Sequence, residues 1–187
     1  TPEQLHCFDT HLPASVASVS LANSSAGLCW KASHRQWVRA GGALYGLTVA
    51  AGKTGADFGL QPAMTLSTRL ISIKSLRQGD RVGYAGSYVC PEDMPIGVAA
   101  IGYGDGYPRN IRSATPALLN GKRVPIVGRV SMDLMTLDLR SQPHAQVGDE
   151  VVLWGEGLPI EEIAEAAGTI SYELTCSITR RVRFIEA

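Results

Sequence analysis

Residues 64–73 read MTLSTRLISI, and apolar and polar side chains alternate at its two ends, Met64–Ser67 and Ile71–Ile73. A period of two predicts a β-strand with one buried face. Asn120-Gly121 favours a type I′ hairpin turn, because both central residues of that turn need positive φ. The pattern from residue 56 onward therefore predicts a mainly antiparallel β domain, a barrel or a sandwich. Its other predicted elements are strands at 97–103, 117–119, 123–130, 132–139 and 150–154, and a helix at 159–167 that ends at Gly168.

The first part of the chain alternates helix and strand signals instead. A proline and an amphipathic pattern predict a helix over residues 2–9. A run of small, Val- and Leu-bearing residues predicts a buried strand at 15–21, and a further short strand is predicted at 37–39. Between them, Asn23-Ser24-Ser25 is typical of a helix N-cap and predicts a helix through Ser33. This β-α-β order is typical of a parallel sheet or a (β/α) barrel.

Two parallel strands and two helices cannot close a barrel, because their edges and faces stay uncovered. We therefore expect residues 1–55 to be the C-terminal part of a larger α/β barrel domain. Residues 50–61, AAGKTGADFGLQ, are glycine-rich and indicate a linker. The β domain is then predicted to cover residues 56–187.

Composition excludes several classes of function. The formal net charge is zero, which gives no reason to expect nucleic acid or anionic lipid as a partner. No apolar run is long enough to span a membrane. The four cysteines are irregularly spaced, which argues against a zinc site or a disulfide framework and favours reduced thiols in the cytoplasm. Charged residues make up only 18%, so we expect a large buried interface, in an oligomer or against a missing segment.

A first cluster of candidate residues indicates a phosphate site. Ser24 follows a predicted strand and opens a helix, and Arg39 ends the next strand, just before Gly41-Gly42. Free N–H groups at a helix N-terminus and a glycine turn can bind phosphate. An ordinary N-cap followed by an ordinary glycine turn has the same pattern, so the residues alone leave both interpretations open.

Two further clusters contain tyrosine and charged residues. Tyr84 in RVGYAGSY (81–88) and Tyr103 in GYGDGYPR (102–109) lie among glycines at strand ends, where a substrate can approach the hydroxyl. A tyrosine acts as a base only where its pKa is lowered. Each could instead be a packed strand residue. In GRVSMD (128–133), Asp133 needs a partner, and Arg109 or Arg129 could pair with it.

Together these motifs resemble the C-terminal half of bacterial alanine racemase, an enzyme that uses pyridoxal phosphate. The resemblance runs from about residue 19 to the end of the chain. The segments that carry it, in the order of the family, are ANSSAG, VRAGGALYG, GADFGLQPAMTL, RVGYAGSY, IGYGDGYPR, VPIVGRVSMD, LWGEGLPIEEIA and ISYELTCSITRRV. The resemblance implies the end of a (β/α)₈ barrel at residues 1–55, followed by a β domain.

The resemblance also implies roles for individual residues. Tyr84 matches the catalytic tyrosine, Tyr103 a tyrosine at the substrate entrance, and Met132 the residue whose N–H binds the substrate carboxylate. Further matches are Arg109, Arg129 and Asp133 along the entrance corridor, Ser24, Gly41, Gly42 and Tyr172 at the cofactor phosphate, and Arg39 at the pyridine nitrogen. The family implies a homodimer in which Tyr84, Tyr103 and Met132 complete the partner's site. No metal is expected, because the sequence has no C-x-x-C pair and no histidine at metal-ligand spacing.

The sequence departs from the family in one important respect. The cofactor lysine of the family lies in a motif of the VKANAYGHG kind, which is absent, and Lys31, Lys53, Lys74 and Lys122 all lack that context. Ser20 stands where some relatives have histidine, and Ala40 where proline or phenylalanine is common. We therefore expect the 187-residue chain alone to be inactive, and the full-length protein to be a racemase that makes D-alanine, a peptidoglycan precursor.

Two alternatives stay open. One is an amino-acid racemase of broader specificity that acts on serine or basic amino acids, since pocket size decides between these substrates. The other, from a different class, is a non-catalytic β module used for dimerisation. The related pyridoxal-phosphate decarboxylases have a cysteine-aspartate site motif, which this sequence lacks.

Overall fold

The structure is a computed structural model that describes residues 1–186. The chain forms two compact units, Thr1–Gln61 and the part from Pro62 onward. The predicted division at residue 55 falls in a short 3-10 turn, Gly55–Phe58, near the end of the first unit. No helix within residues 1–186 has the length and apolar character needed to cross a membrane.

The first unit contains two parallel strands and three short helices. In chain order these are α1 (Pro2–His11), β1 (Ser20–Asn23), α2 (Ser24–Cys29), β2 (Trp37–Arg39) and α3 (Gly41–Leu44). Strands β1 and β2 pair in parallel, as the β-α-β order predicts.

Local signals set two of these helix starts. The Thr1 hydroxyl accepts from the Gln4 N–H, and the Gln4 side chain accepts from the Thr1 amino group, so a capping box begins α1. The Asn23 side chain accepts from the Ala26 N–H over 3.0 Å and begins α2.

The prediction of a buried strand at 15–21 is wrong, because none of these residues is buried and β1 buries only Ala22. All three residues of β2 are exposed, and Trp37 keeps 65% of its surface. A sheet of two strands cannot cover its own faces, because that takes a layer of helices or a second sheet. The strand predicted at 15–21 also begins only at Ser20.

The second unit is built on a closed six-stranded barrel whose paired strands are all antiparallel. The mainly β prediction, which left barrel and sandwich open, is thus confirmed as a barrel. Its strands are β3 (Leu66–Leu76), β6 (Met94–Ala99), β7 (Pro116–Leu119), β8 (Lys122–Val127), β9 (Met135–Asp138) and β10 (Glu150–Trp154), and their order around the barrel is β10-β3-β6-β9-β8-β7. A separate two-stranded ribbon, β4 (Arg81–Val82) with β5 (Tyr88–Val89), was not predicted.

The hairpin prediction is confirmed. Leu119 pairs with Lys122 across the turn, and the φ angles of Asn120 and Gly121 are 50° and 75°. The barrel interior is apolar, with fully buried side chains such as Ile126, Leu137 and Val151. Burial of these side chains is the main stabilising term of such a barrel.

Two helices follow the barrel. Helix α4 (Ile160–Ala167) buries Ile160, Ile163, Ala164 and Ala167, and Gly168 ends it with a φ of 70°, as predicted. Helix α5 (Ser171–Ser177) was not predicted. The strand predicted at 97–103 stops at Ala99, because the chain turns over Tyr103–Asp105.

Candidate active site

Three motifs of the second unit meet along one segment, residues 128–133. At one end, a Cβ added to Gly83 would lie 2.7 Å from the Arg129 nitrogen, so the Tyr84 turn packs on this segment. At the other end, the Tyr103 N–H donates to the Ser131 carbonyl over 3.0 Å, and the Gly104 N–H donates to the Met132 carbonyl over 2.8 Å. Residues 128–133 therefore connect the two tyrosine turns.

The Tyr84 turn is short and conformationally demanding. Gly83, Ala85 and Gly86 have φ angles of 78°, 59° and 57°. Positive φ at three positions around one tyrosine reverses the chain tightly between β4 and β5. Tyr84 stays 55% exposed as a result, so the phenol lies at the surface of this chain rather than in its core.

The Tyr103 turn places Met132. A Cβ on Gly102 would lie 2.5 Å from the Met132 carbonyl carbon, so only glycine permits this approach of the two backbones. The Gly102 N–H donates to the Asp105 carboxylate over 2.9 Å, which closes the turn. Within residues 1–186 the Met132 N–H has no acceptor, and the Met132 side chain is half exposed. This N–H is free to bind an anion.

The charged residues of the predicted corridor, Arg109, Arg129 and Asp133, are all exposed, but each lies beside a different neighbour. Arg109 lies 6.0 Å from the centre of the Tyr103 ring. Arg129 lies beside Gly83 through its backbone. The expected pairing of Asp133 with Arg109 or Arg129 is wrong, because Asp133 pairs with Arg181, at 2.5 Å.

The candidate phosphate residues of the first unit are brought together at the two strand ends. The buried Ser24 hydroxyl accepts from the Ala43 N–H over 3.2 Å, which joins the start of α2 to the first turn of α3. Gly41 and Gly42 open α3, and the first N–H groups of a helix have no partner inside it. A hydroxyl and the N–H groups that open a helix are a donor set that suits phosphate.

Arg39 lies at the end of β2, and its side chain is held by the neighbouring strand. Its guanidinium donates to both the carbonyl and the hydroxyl of Ser20, each over 3.0 Å. Ser20 stands where some relatives of the resembled family have histidine, and here it fixes the arginine. Tyr172 is a half-buried residue of α5 in the second unit, and its role at a phosphate stays a prediction.

Sequence reasoning missed Asp105 and Arg181. Arg181 pairs with Asp105 at 3.2 Å as well as with Asp133, and its hydrogen bond to Asp133, with the charge of Asp105, raises the pKa of Arg181. Asp105 is visible in GYGDG and Arg181 in TRRV, but about 75 residues separate them, and nothing local indicates that they meet.

A model of the family described as "Alanine racemase, C-terminal domain" matches residues 63–186. The alanine racemase of Nitrosococcus oceani is 55% identical over 97% of this chain and 51% of its own length. That of Coxiella burnetii (strain Dugway) is 50% identical over 100% of this chain and 52% of its own length.

Solved structures agree with these relatives. The biosynthetic alanine racemase of Pseudomonas aeruginosa superimposes with a TM-score of 0.94 at 44% identity, over 97% of this chain and 51% of that one. The alanine racemase of Acinetobacter baumannii gives a TM-score of 0.87 at 37% identity, over 96% of this chain and 50% of that one. The chain therefore spans about half the length of the relatives it matches.

Proposed function

The chain belongs to the alanine racemase family, and from this premise we propose that the full-length protein interconverts L-alanine and D-alanine with pyridoxal phosphate as cofactor. The main support from the structure is the meeting of Tyr84, Tyr103 and Met132 along residues 128–133. The residues to which we assign proton transfer, the entrance and anion binding thus belong to loops that contact one segment of backbone.

Racemisation removes a proton from one face of Cα and returns a proton to the other face. Two groups on opposite faces can do this without turning the substrate. We assign the Tyr84 hydroxyl to one face, because its turn leaves the phenol exposed at the surface of the chain. The second group, a lysine, belongs to a motif outside this sequence. Bound pyridoxal phosphate supplies the electron withdrawal that acidifies the Cα–H bond.

Substrate orientation is assigned to Met132 and the residues around it. Within residues 1–186 the Met132 N–H has no acceptor, and a backbone N–H is a fixed donor for a carboxylate. Tyr103 lies in the turn that is hydrogen-bonded to Ser131 and Met132, and the Arg109 guanidinium lies over its ring. Arg109, Arg129 and Asp133 then line the corridor by which a zwitterionic amino acid reaches Met132.

Cofactor binding is assigned to the first unit. The Ser24 hydroxyl and the N–H groups of Gly41 and Gly42 would hold the phosphate. Arg39, fixed by Ser20, would face the pyridine nitrogen. A guanidinium keeps its proton at all ordinary pH values, so it would leave that nitrogen unprotonated and limit side reactions.

We propose that the protein is a cytoplasmic homodimer whose tyrosine surface completes the site of the partner subunit. Tyr84 and Met132 keep 55% and 49% of their surface in the single chain. Such exposure of residues assigned to chemistry is expected if a second subunit covers them. Sedimentation equilibrium of the full-length protein should give twice the subunit mass, and a monomer at micromolar concentration would contradict this assignment.

The proposed activity is tested on the full-length protein. Addition of pyridoxal phosphate should produce the visible absorbance of bound cofactor, and L-alanine should then yield D-alanine in a coupled assay. Parallel assays with L-serine, L-lysine and L-arginine distinguish an alanine-specific enzyme from a broader racemase. Cofactor binding without racemisation of any of the four amino acids would contradict the proposal.

A further inference from the structure

We propose that Arg181 is a positioning residue that sets the substrate-binding geometry of Met132 through two ion pairs. This inference rests on the proposed function, since it concerns the same site. Arg181 pairs with Asp105 at 3.2 Å and with Asp133 at 2.5 Å. The two carboxylates belong to the two segments that meet at Met132.

Each carboxylate is tied to a different part of the site. Asp105 is the last residue of the Tyr103 turn, and its other oxygen accepts from the Gly102 N–H over 2.9 Å. Asp133 directly follows Met132 in the chain. One guanidinium therefore connects the Tyr103 turn to the residue next to Met132, and a planar group with several donors can do so where an ammonium cannot.

The backbone of the Tyr103 turn makes room for this side chain. A Cβ added to Gly104 would collide with the Arg181 guanidinium and would lie 2.9 Å from the Met132 carbonyl oxygen. Glycine at this position thus lets Arg181 reach both carboxylates while the Gly104 N–H donates to Met132. The ion pairs of Arg181 and the Gly104–Met132 hydrogen bond therefore both require that residue 104 has no side chain.

The segment that carries Arg181 is fixed to the same turn. The Thr179 N–H donates to the Asp105 carbonyl, and the Thr179 hydroxyl donates to the Gly104 carbonyl, each over 3.0 Å. The Ser177 hydroxyl donates to the Gly106 carbonyl over 3.0 Å. Ser177 and Thr179 therefore hold this segment along residues 104–106, and Arg181 follows two residues later.

The arrangement is more consistent with positioning than with global stability. The Arg181 and Asp133 side chains keep 45% and 58% of their surface, and exposed pairs contribute little to stability. Of the three side chains, only that of Asp105 is largely buried, since 13% of its surface stays exposed. Loss of Arg181 should loosen two loops and leave the barrel intact.

The test compares Arg181→Gln with Arg180→Gln in the full-length holoenzyme. Arg180 is the exposed neighbour, and it has no ion pair within residues 1–186. We expect Arg181→Gln to raise KM for both alanine enantiomers about tenfold and to lower kcat less than threefold, because the carboxylate donor moves while the proton-transfer groups do not. Arg180→Gln should leave both constants unchanged.

A second readout does not need activity. Hydrogen–deuterium exchange at residues 102–106 and 131–133 should rise in Arg181→Gln, with no change in the barrel strands or in Arg180→Gln. The KM of Arg181→Lys should lie between those of the wild type and Arg181→Gln, since an ammonium is too compact to engage both carboxylates as the guanidinium does. Unchanged exchange in both loops, or a drop in kcat with KM unchanged, would overturn the positioning role. Racemisation lost in the wild type too would instead overturn the proposed function, and the exchange data would still decide the inference.

Discussion

The Gly104 N–H donates to the Met132 carbonyl over 2.8 Å, and this bond joins two segments that are far apart in the sequence. Gly104 lies after β6 and Met132 after β8, and both strands pair with β9. Closure of the barrel therefore determines the distance between the Tyr103 turn and Met132. The barrel strands thus hold the loops of the candidate site in place.

Tyr84→Phe should abolish proton transfer at one face of the substrate. We expect kcat/KM of the full-length enzyme to fall 10²–10⁴-fold, the usual contribution of a positioned acid or base, with cofactor absorbance unchanged. Tyr88→Phe is the matched control, because Tyr88 is assigned no role in the reaction and its hydroxyl donates to the Met94 sulfur, at 3.7 Å. Equal activity of the wild type and Tyr84→Phe in both directions would remove Tyr84 from the proposed role.

Ser24→Ala should weaken cofactor binding. Loss of one hydrogen bond to a charged phosphate costs about 1.5–3 kcal/mol, which corresponds to roughly a 10–100-fold rise in Kd. Titration of the full-length apoprotein with pyridoxal phosphate measures this directly. Ser25→Ala removes a neighbouring hydroxyl to which we assign no role and should leave the Kd near the wild-type value. Similar affinities for all three proteins would contradict the assignment of Ser24.

Gly102→Ala should disturb the contact with Met132. The new methyl group would lie 2.5 Å from the Met132 carbonyl carbon, so the two loops must separate, at a cost of about 1–3 kcal/mol. We expect a lower Tm and a raised KM for alanine. Gly27→Ala is the control, since a Cβ there meets nothing within 4 Å and alanine favours a helix. A Gly102→Ala enzyme with wild-type KM would show that this contact does not place Met132.

Tyr107→Phe should leave stability nearly unchanged at neutral pH. Tyr107 is buried and stacks on Trp154, with ring centres 5.7 Å apart, and its hydroxyl has no partner within residues 1–186. No hydrogen bond is lost, so we expect a change within about 1 kcal/mol in urea denaturation. Tyr107→Ala should cost about 3–5 kcal/mol, because the ring leaves a cavity. A large loss in Tyr107→Phe would mean that a buried water binds the hydroxyl.

The same residue predicts a pH dependence. Burial raises the pKa of Tyr107 above its ordinary value. Above about pH 10 the unfolded chain releases this proton while the folded protein keeps it, so stability is complete below pH 10 and falls as the pH rises further. The fall due to this group is about 1.4 kcal/mol per pH unit. Denaturation between pH 9 and 11 should show a shallower decline in Tyr107→Phe, and equal slopes would contradict the burial effect.

Features that depend on a few neighbouring residues could be predicted from the sequence. The Asn120-Gly121 hairpin and the Gly168 helix end formed as expected. A strand also formed from Leu66, but its buried face holds only as far as Leu70, and Ile71 is half exposed on the other face. Each follows from backbone sterics or side-chain alternation, which act locally. The family resemblance, carried by short motifs, is likewise confirmed.

Only the tertiary structure decided which charged groups meet. Sequence reasoning offered Arg109 or Arg129 as the partner of Asp133, but the barrel brings Arg181 there, 48 positions along the chain. The tertiary structure also ends β6 at Ala99, because the glycines of residues 102–106 pack against Met132 instead of continuing the strand. A sequence specifies each loop through local preferences. Contacts between loops depend on strand order and register, and these are set by the packing of the whole barrel.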